Sequence, residues 1–229
     1  MASSNKHVVF DVLIRPGLLG TLVDYEAFYE AIEARLGDQL RAQHIGARLF
    51  GYAWMEAGEK EYTYLSMSGH HVAFSDVLRA LFYRTLWQAG LADPRRFATD
   101  DDRDFLLAAY RALRVRPGVA ACFRTLHDAG YTVWALTSGD VARVADSIGV
   151  GKPAPAVYEH VLKKFPTEDL DAWFAAGHMW DASAARRSGF NGAWVSLWEK
   201  ESCSDIFGDM DVVADSLPEL ADGIVAFKK

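Results

Sequence analysis

The sequence predicts an α/β fold, in which helices flank a parallel sheet and a helical segment is inserted after the first strand. Two observations support this prediction. After residue 118, short apolar runs alternate with segments of helical periodicity, as in parallel strands joined by crossover helices. Between residues 24 and 110, apolar side chains recur at helical spacing without a convincing strand. We therefore expect a core formed by residues 1–23 and 111–229 and a helical insert formed by residues 24–110.

The expected elements follow in chain order. The first strand is Val8–Phe10, an apolar run without alternation that stops at Asp11, as buried parallel strands do. In the insert, Phe28, Ile32 and Leu36 are spaced as in a helix that buries one face. Further strands are expected at residues 131–136, 172–176, 193–195 and 211–214, and further helices at residues 119–129, 153–164, 182–188 and 217–227.

Composition and charge exclude several classes of protein. The 229 residues are 51% hydrophobic and carry a formal net charge of −7, so a disordered chain is excluded and a nucleic-acid or anionic-lipid partner is disfavoured. Two cysteines, Cys122 and Cys203, cannot form a disulfide framework. We expect no signal peptide, and no apolar run reaches the ~20 residues that a membrane span needs. We expect a reduced, cytoplasmic protein that binds a small-molecule substrate. The sequence leaves open whether the protein forms a homodimer.

Polar residues follow the predicted strands, where ligands bind in parallel sheets. Asp11, Thr137 and Asp181 each come after an apolar run and would line one edge of the sheet. Asp11 is a candidate nucleophile or a turn cap, and Asp181 could orient or deprotonate a water or cap a helix. Thr137 and Ser138 could hold an anion or start a helix. Lys152, before a proline, could keep a carboxylate ionised or lie on the surface.

The order of these signals along the chain resembles that of the haloacid dehalogenase superfamily, over nearly the whole sequence. The most specific stretch runs from Phe174 to Val195, in which Met179–Arg186 and Gly189-Phe190 are similar to the fourth motif of the L-2-haloacid dehalogenase branch. Lys152-Pro153, followed by Val157-Tyr158, is similar to the third motif. The resemblance implies a Rossmann-like core with residues 24–110 as a helical cap.

The resemblance also implies roles for individual residues. Asp11 would be the nucleophile that displaces halide from C2 of a small 2-haloacid, and water would hydrolyse the resulting aspartyl ester. The remaining motif positions would complete the site, with catalytic or substrate-binding roles for Thr137, Ser138, Lys152, Tyr158 and Asp181.

Two positions disfavour metal-dependent chemistry. The superfamily's phosphatases carry a second aspartate two residues after the nucleophile and another ahead of the last acid, which holds Mg²⁺; here Leu13 and His178 stand at these places. We therefore expect no cofactor, with Mg²⁺ only if the alternative of a phosphatase holds. His178 could assist water or a leaving group near neutral pH. Alternatively, it could hydrogen-bond to another residue of the site without touching the substrate.

Two spacings differ from the family pattern. The Gly-Thr turn that closely follows the nucleophile in the dehalogenases comes later here, at Thr21, so Ile14–Leu19 resembles an insertion in the catalytic loop. The resemblance implies a substrate-binding role for Thr21. The segment between Thr137 and Lys152 is short for a crossover and its strand, so we expect a shortened core element there. These differences motivate a third hypothesis, a catalytically impaired or repurposed relative.

The insert lacks one family residue and is rich in aromatic side chains. The dehalogenases carry a cap arginine, but the stretch from Trp54 to Tyr62 has none. The rings between Phe50 and Trp87 exceed what one helical layer needs. We expect them to form an apolar wall that faces Asp11, with Trp54 and Tyr62 binding substrate, or to form the core of the insert itself.

Overall fold

The computed structural model describes residues 5–11, 21–70, 72–112, 114–136, 151–166 and 170–228. The predicted insertion Ile14–Leu19, Leu13 and the pair Thr137-Ser138 lie outside these residues. The chain divides into two compact units. We call Asp24–Arg114 the helical unit and the described residues before and after it the core unit.

The core unit contains a five-stranded sheet in which every described pairing is parallel, which confirms the predicted α/β fold. The strand order is β4-β1-β5-β6-β7. β1 therefore lies between β4 and β5, and the carboxyl ends of these three parallel strands lie at the same edge of the sheet. Two short strands, β2 and β3, pair separately where the chain passes between the units. The strands are β1 (Lys6–Asp11), β2 (Val23–Asp24), β3 (Arg114–Val115), β4 (Thr132–Leu136), β5 (Asp171–Ala176), β6 (Asn191–Val195) and β7 (Val212–Ala214).

The described residues of the helical unit form five helices, and the second helix packs against the first and the third. Phe28 and Trp54 are fully buried in this unit, with ring centroids 5.7 Å apart. Glycine at position 51 allows close packing, because an added Cβ atom would lie 2.6 Å from Ile32 Cδ1. The helices are α1 (Glu26–Ala42), α2 (Ala47–Met67), α3 (Phe74–Gln88), α4 (Pro94–Phe97) and α5 (Asp100–Arg111).

Helices cover both faces of the core sheet. Val8 and Phe10 point to the side of the first and last core helices, and Val9 points to the opposite side. Burial on both faces explains why this strand is an apolar run without alternation. None of the described helices is both long enough and apolar enough to span a bilayer. The core helices are α6 (Val119–Asp128), α7 (Pro155–Leu162), α8 (Met179–Arg187), α9 (Ser204–Phe207) and α10 (Leu217–Ala226).

Candidate active site

The carboxyl ends of β1 and β5 bring the candidate residues of the core unit together. Asp11 is the last residue of β1 and pairs with Leu136 at the end of β4. On the other side, Phe10 pairs with Ala175 of β5, so β5 ends beside Asp11. The residues that follow β5 therefore lie next to the Asp11 carboxylate, as the strand-end argument predicts.

Lys152 links two buried carboxylates. Its Nζ atom lies 2.5 Å from Asp11 Oδ1 and 2.5 Å from Asp181 Oδ2. The three residues expose only 8%, 4% and 0% of their surface, respectively. Burial alone lowers the pKa of Lys152, but the charges of the two carboxylates outweigh burial and raise that pKa above its usual value. Lys152 is therefore a permanent cation that holds both carboxylates in one cluster.

Asp181 reaches the cluster from a helix rather than from a strand end. We expected a helix to begin at Ala182, but α8 begins at Met179, so Asp181 lies in its first turn. The Met179 backbone N–H donates to Glu199 Oε2 at 2.7 Å, which satisfies one of the free donors at the helix start. The partial positive charge at a helix N-terminus also stabilises the Asp181 carboxylate in this first turn.

Tyr158 binds the second oxygen of Asp181. Its hydroxyl donates to Asp181 Oδ1, and its ring, fully buried on α7, packs edge-on against Phe174 with centroids 5.4 Å apart. Burial raises the pKa of Asp181 above its usual value, although the charge of Lys152 and the hydrogen bonds from Lys152 and Tyr158 offset part of that rise. Burial and the negative charge of Asp181 raise the pKa of Tyr158 as well, so its hydroxyl remains a donor.

His178 is buried and neutral at physiological pH. It is 5% exposed, and its ring lies 5.8 Å from the ring of Trp180 and 6.4 Å from that of Trp198. Within the described part of the chain, its Nδ1 atom has no hydrogen-bond partner. Burial lowers the pKa of His178 to about 4, below the near-neutral range that we expected from the sequence.

Thr21 has a backbone partner. Its Oγ1 accepts a hydrogen bond from the Gly177 N–H at 2.7 Å, and the residue is 1% exposed. This bond ties the segment that leads into β2 to the end of β5. A substrate-binding role for Thr21 stays a prediction.

The two aromatic residues proposed for substrate binding lie inside the helical unit. Trp54 is fully buried and donates from Nε1 to the Leu78 carbonyl at 2.8 Å, and Tyr62 is 6% exposed and contacts Phe74 edge-on. Both rings thus belong to the core of this unit, as our alternative had it. Their role toward a substrate stays a prediction.

The described side chains around Lys152 do not offer a ligand set that fits a magnesium ion. An ammonium group stands between the two carboxylates, where a bridging cation would otherwise bind. Among the described residues, no three His, Cys, Asp or Glu side chains lie close enough to hold a metal ion together. Mg²⁺ prefers an octahedral set of oxygen ligands, which these side chains do not offer.

Sequence reasoning missed two residues next to the cluster. The half-buried Trp180 ring lies 5.7 Å from Lys152 Nζ, and its position beside Asp181 could have indicated this. Glu199 binds the Met179 N–H at the start of α8 from 20 residues further along the chain, so no local sequence pattern indicates this contact.

The core unit thus combines a parallel sheet flanked by helices with a buried carboxylate–ammonium–carboxylate cluster at its carboxyl edge. The family model described as haloacid dehalogenase-like hydrolase matches residues 17–189. The chain belongs to this family, which confirms the resemblance found in the sequence.

Individual relatives agree with this family. The chain is 40% identical over 52 residues to "(S)-2-haloacid dehalogenase 2" of Pseudomonas sp. (strain CBS-3). The matched segment covers 23% of this chain and 23% of that protein. It is 26% identical over 107 residues to "(S)-2-haloacid dehalogenase 4A" of Burkholderia cepacia, covering 39% of this chain and 46% of that protein. The matched segments thus span less than half of either relative.

A solved structure shows the same fold over almost the full length. The L-2-haloacid dehalogenase from Xanthobacter autotrophicus superposes with a TM-score of 0.69 at 21% identity, covering 95% of this chain and 97% of that one. At this identity the likeness establishes the fold alone.

Proposed function

We propose that this chain is a hydrolase that removes halide from C2 of a small 2-haloacid through an ester formed on Asp11. The observation that supports this most is the bridging position of Lys152 between the buried carboxylates of Asp11 and Asp181. The matched relatives, named as 2-haloacid dehalogenases, suggest the substrate class.

In the first step, Asp11 acts as the nucleophile. Lys152 contacts Oδ1, and we assign the attack on C2 to Oδ2. The new bond joins Oδ2 to C2 while the C2–halogen bond breaks, and the halide leaves with the bonding electrons. Lys152 places a positive charge beside the Asp11 nucleophile.

In the second step, water cleaves the ester. The water oxygen attacks Cγ of Asp11, Asp181 accepts a water proton, and the bond between Cγ and the ester oxygen breaks. The departing 2-hydroxy acid takes up a proton, and one proton is released to solvent overall. Hydrogen bonds from Lys152 and Tyr158 hold Asp181 in place for this role.

The direct test is a halide-release assay over short 2-chloro and 2-bromo acids of increasing apolar size. We expect release by the wild-type chain and a loss of at least a thousandfold in Asp11→Asn, because an amide is a poor nucleophile. Asn at this position leaves the charges of Lys152 and Asp181 balanced, so circular dichroism should show an intact fold. Mg²⁺-dependent phosphate release from phosphate esters, without halide release from any acid, would contradict the proposal.

A further inference from the structure

One buried nitrogen beside the Lys152 cluster has no role in the two reaction steps proposed above. His178 Nδ1 belongs to a residue that is only 5% exposed, and this atom has no hydrogen-bond partner among the described residues. Buried polar atoms of folded proteins almost always have a partner. His178 directly precedes α8, whose first turn carries Asp181, so the nitrogen lies at the same edge of the sheet as the cluster. We interpret it as a contact for a bound ligand.

Two hydrogen bonds connect Arg116 to the segment that carries His178. The Arg116 backbone N–H donates to the Leu22 carbonyl at 2.9 Å. Leu22 follows Thr21, whose Oγ1 accepts from the Gly177 N–H at 2.7 Å, and Gly177 precedes His178. Arg116 is half-buried and belongs to the core unit, as the other four residues do. The residue that follows β3 is therefore fixed beside the end of β5.

The positive charge of Arg116 acts on the same site. Burial lowers the pKa of His178 most, the charge of Asp181 acts against this, and the charges of Lys152 and Arg116 lower the pKa further. A positive charge disfavours the protonated form of a histidine only when the two groups are close. The Arg116 guanidinium thus lies within electrostatic reach of the His178 ring, as the Lys152 ammonium does.

An acid substrate needs a cation that the cluster does not supply. Lys152 already contacts both Asp11 and Asp181, so one negative charge remains when the two carboxylates are ionised. A 2-haloacid is itself an anion at neutral pH, and a buried charge without a counter-charge is unfavourable. Arginine suits this role because its planar guanidinium binds a carboxylate through two parallel hydrogen bonds.

We propose that Arg116 and His178 form the subsite for the carboxylate of the substrate. The Arg116 guanidinium pairs with the carboxylate, and neutral His178, with its proton on Nδ1, donates one hydrogen bond to it. Neither residue forms or breaks a covalent bond; both position C2 of the acid for attack by Asp11. This inference rests on the proposed function, and it adds that the enzyme selects acids over neutral halides of the same size.

Binding of an unreactive acid tests the subsite without turnover. Propionate carries the carboxylate of a short 2-haloacid but no leaving group, and propionamide is its neutral counterpart. In isothermal titration calorimetry at pH 7, Arg116→Gln should bind propionate at least tenfold more weakly than wild type, and Arg116→Lys should lie between the two. His178→Phe, which removes the donor, should also bind propionate more weakly. Propionamide should bind equally to all four proteins, because it brings no charge to the subsite.

The matched control is Arg124→Gln, which removes the same charge from an exposed position of the core unit and should leave propionate binding unchanged. All variants of Arg116 keep the backbone N–H that binds Leu22, and circular dichroism checks that each protein folds. With a reactive acid, Arg116→Gln should raise KM at least tenfold and change kcat less than threefold.

Three results would overturn the subsite. These are a wild-type chain that binds no propionate at tens of millimolar, equal propionate binding by wild type and Arg116→Gln, or an equal loss of propionate and propionamide binding in that variant. Failure of the proposed function is a different result: propionate binding would depend on Arg116, but no 2-haloacid would release halide. Halide release with propionate binding independent of Arg116 would leave the proposed function in place and overturn the subsite alone.

Discussion

Replacing Lys152 with Met removes the cation that joins the two carboxylates, at nearly constant side-chain volume. The variant loses two contacts of 2.5 Å and leaves Asp11 and Asp181, which are 4% and 0% exposed, without their counter-charge. Breaking a buried ion pair by removing one partner costs about 3–5 kcal/mol. The second contact adds less, because two adjacent carboxylates can share a proton. We therefore expect a loss of roughly 3–5 kcal/mol in the free energy of unfolding at pH 7.

The sign of the pH dependence follows from the same geometry. Without the charge of Lys152, burial raises the folded-state pKa of Asp181 further above its unfolded value, so the folded chain binds more protons. Stability is then retained at low pH and lost as pH rises through the raised pKa, at ~1.4 kcal/mol per pH unit per proton. Wild-type Asp181, whose pKa burial already raises to about 6, takes up a proton over the same range, so the penalty of Lys152→Met should shrink by up to about 1.4 kcal/mol between pH 7 and pH 5.

Urea unfolding at pH 5 and pH 7 measures both effects. Lys164→Met, at an exposed position, is the matched control and should change stability by less than about 0.5 kcal/mol. If Lys152→Met does not fold, the variant that adds Asp11→Asn and Asp181→Asn removes every charge of the cluster and should recover most of the stability. A penalty below ~0.5 kcal/mol at pH 7, or one equal at both pH values, would refute the reasoning.

Three further predictions concern the same site. Tyr158→Phe removes the donor to Asp181, so the pKa of Asp181 should rise and the acidic limb of the pH profile of ester hydrolysis, followed in a single turnover, should move to higher pH; an unchanged profile would count against this contact. Thr21→Ala leaves the Gly177 N–H without its acceptor and should cost about 1–3 kcal/mol in urea unfolding, whereas Thr21→Ser should retain most of the stability. Halide release should survive EDTA, and a complete loss that added Mg²⁺ restores would favour the phosphatase alternative.

The edge of the sheet that carries Asp11 was predictable from sequence because buried parallel strands leave a clear pattern. The apolar run of β1 ends at Asp11, and the resemblance added Lys152 and Tyr158 as neighbours. The start of α8 was not predictable in the same way. It depends on Glu199, which binds the Met179 N–H from a distant part of the chain.

The aromatic side chains of α2 show a second limit of prediction from helical periodicity, which concerns the face of a helix that is buried. Rings lie on both faces of this helix: Trp54 and Tyr62 are buried, whereas Tyr52 and Tyr64 are exposed. When both faces are aromatic, helical spacing alone cannot say which one packs inward. In the structure, the face with Trp54 packs inward, where Trp54 donates a buried hydrogen bond to the Leu78 carbonyl. This contact depends on the position of α3, which the spacing on α2 does not encode.

The central claim, that Asp11 forms the ester, is tested most directly by a single turnover in water enriched in oxygen-18. With enzyme in excess over a 2-haloacid, the hydroxyl oxygen of the product should come from the Asp11 carboxylate and carry no label, while mass spectrometry should find the label in the peptide that contains Asp11. Label in the product of this first turnover, with an unlabelled Asp11 peptide, would mean that water attacks C2 directly and would contradict the account.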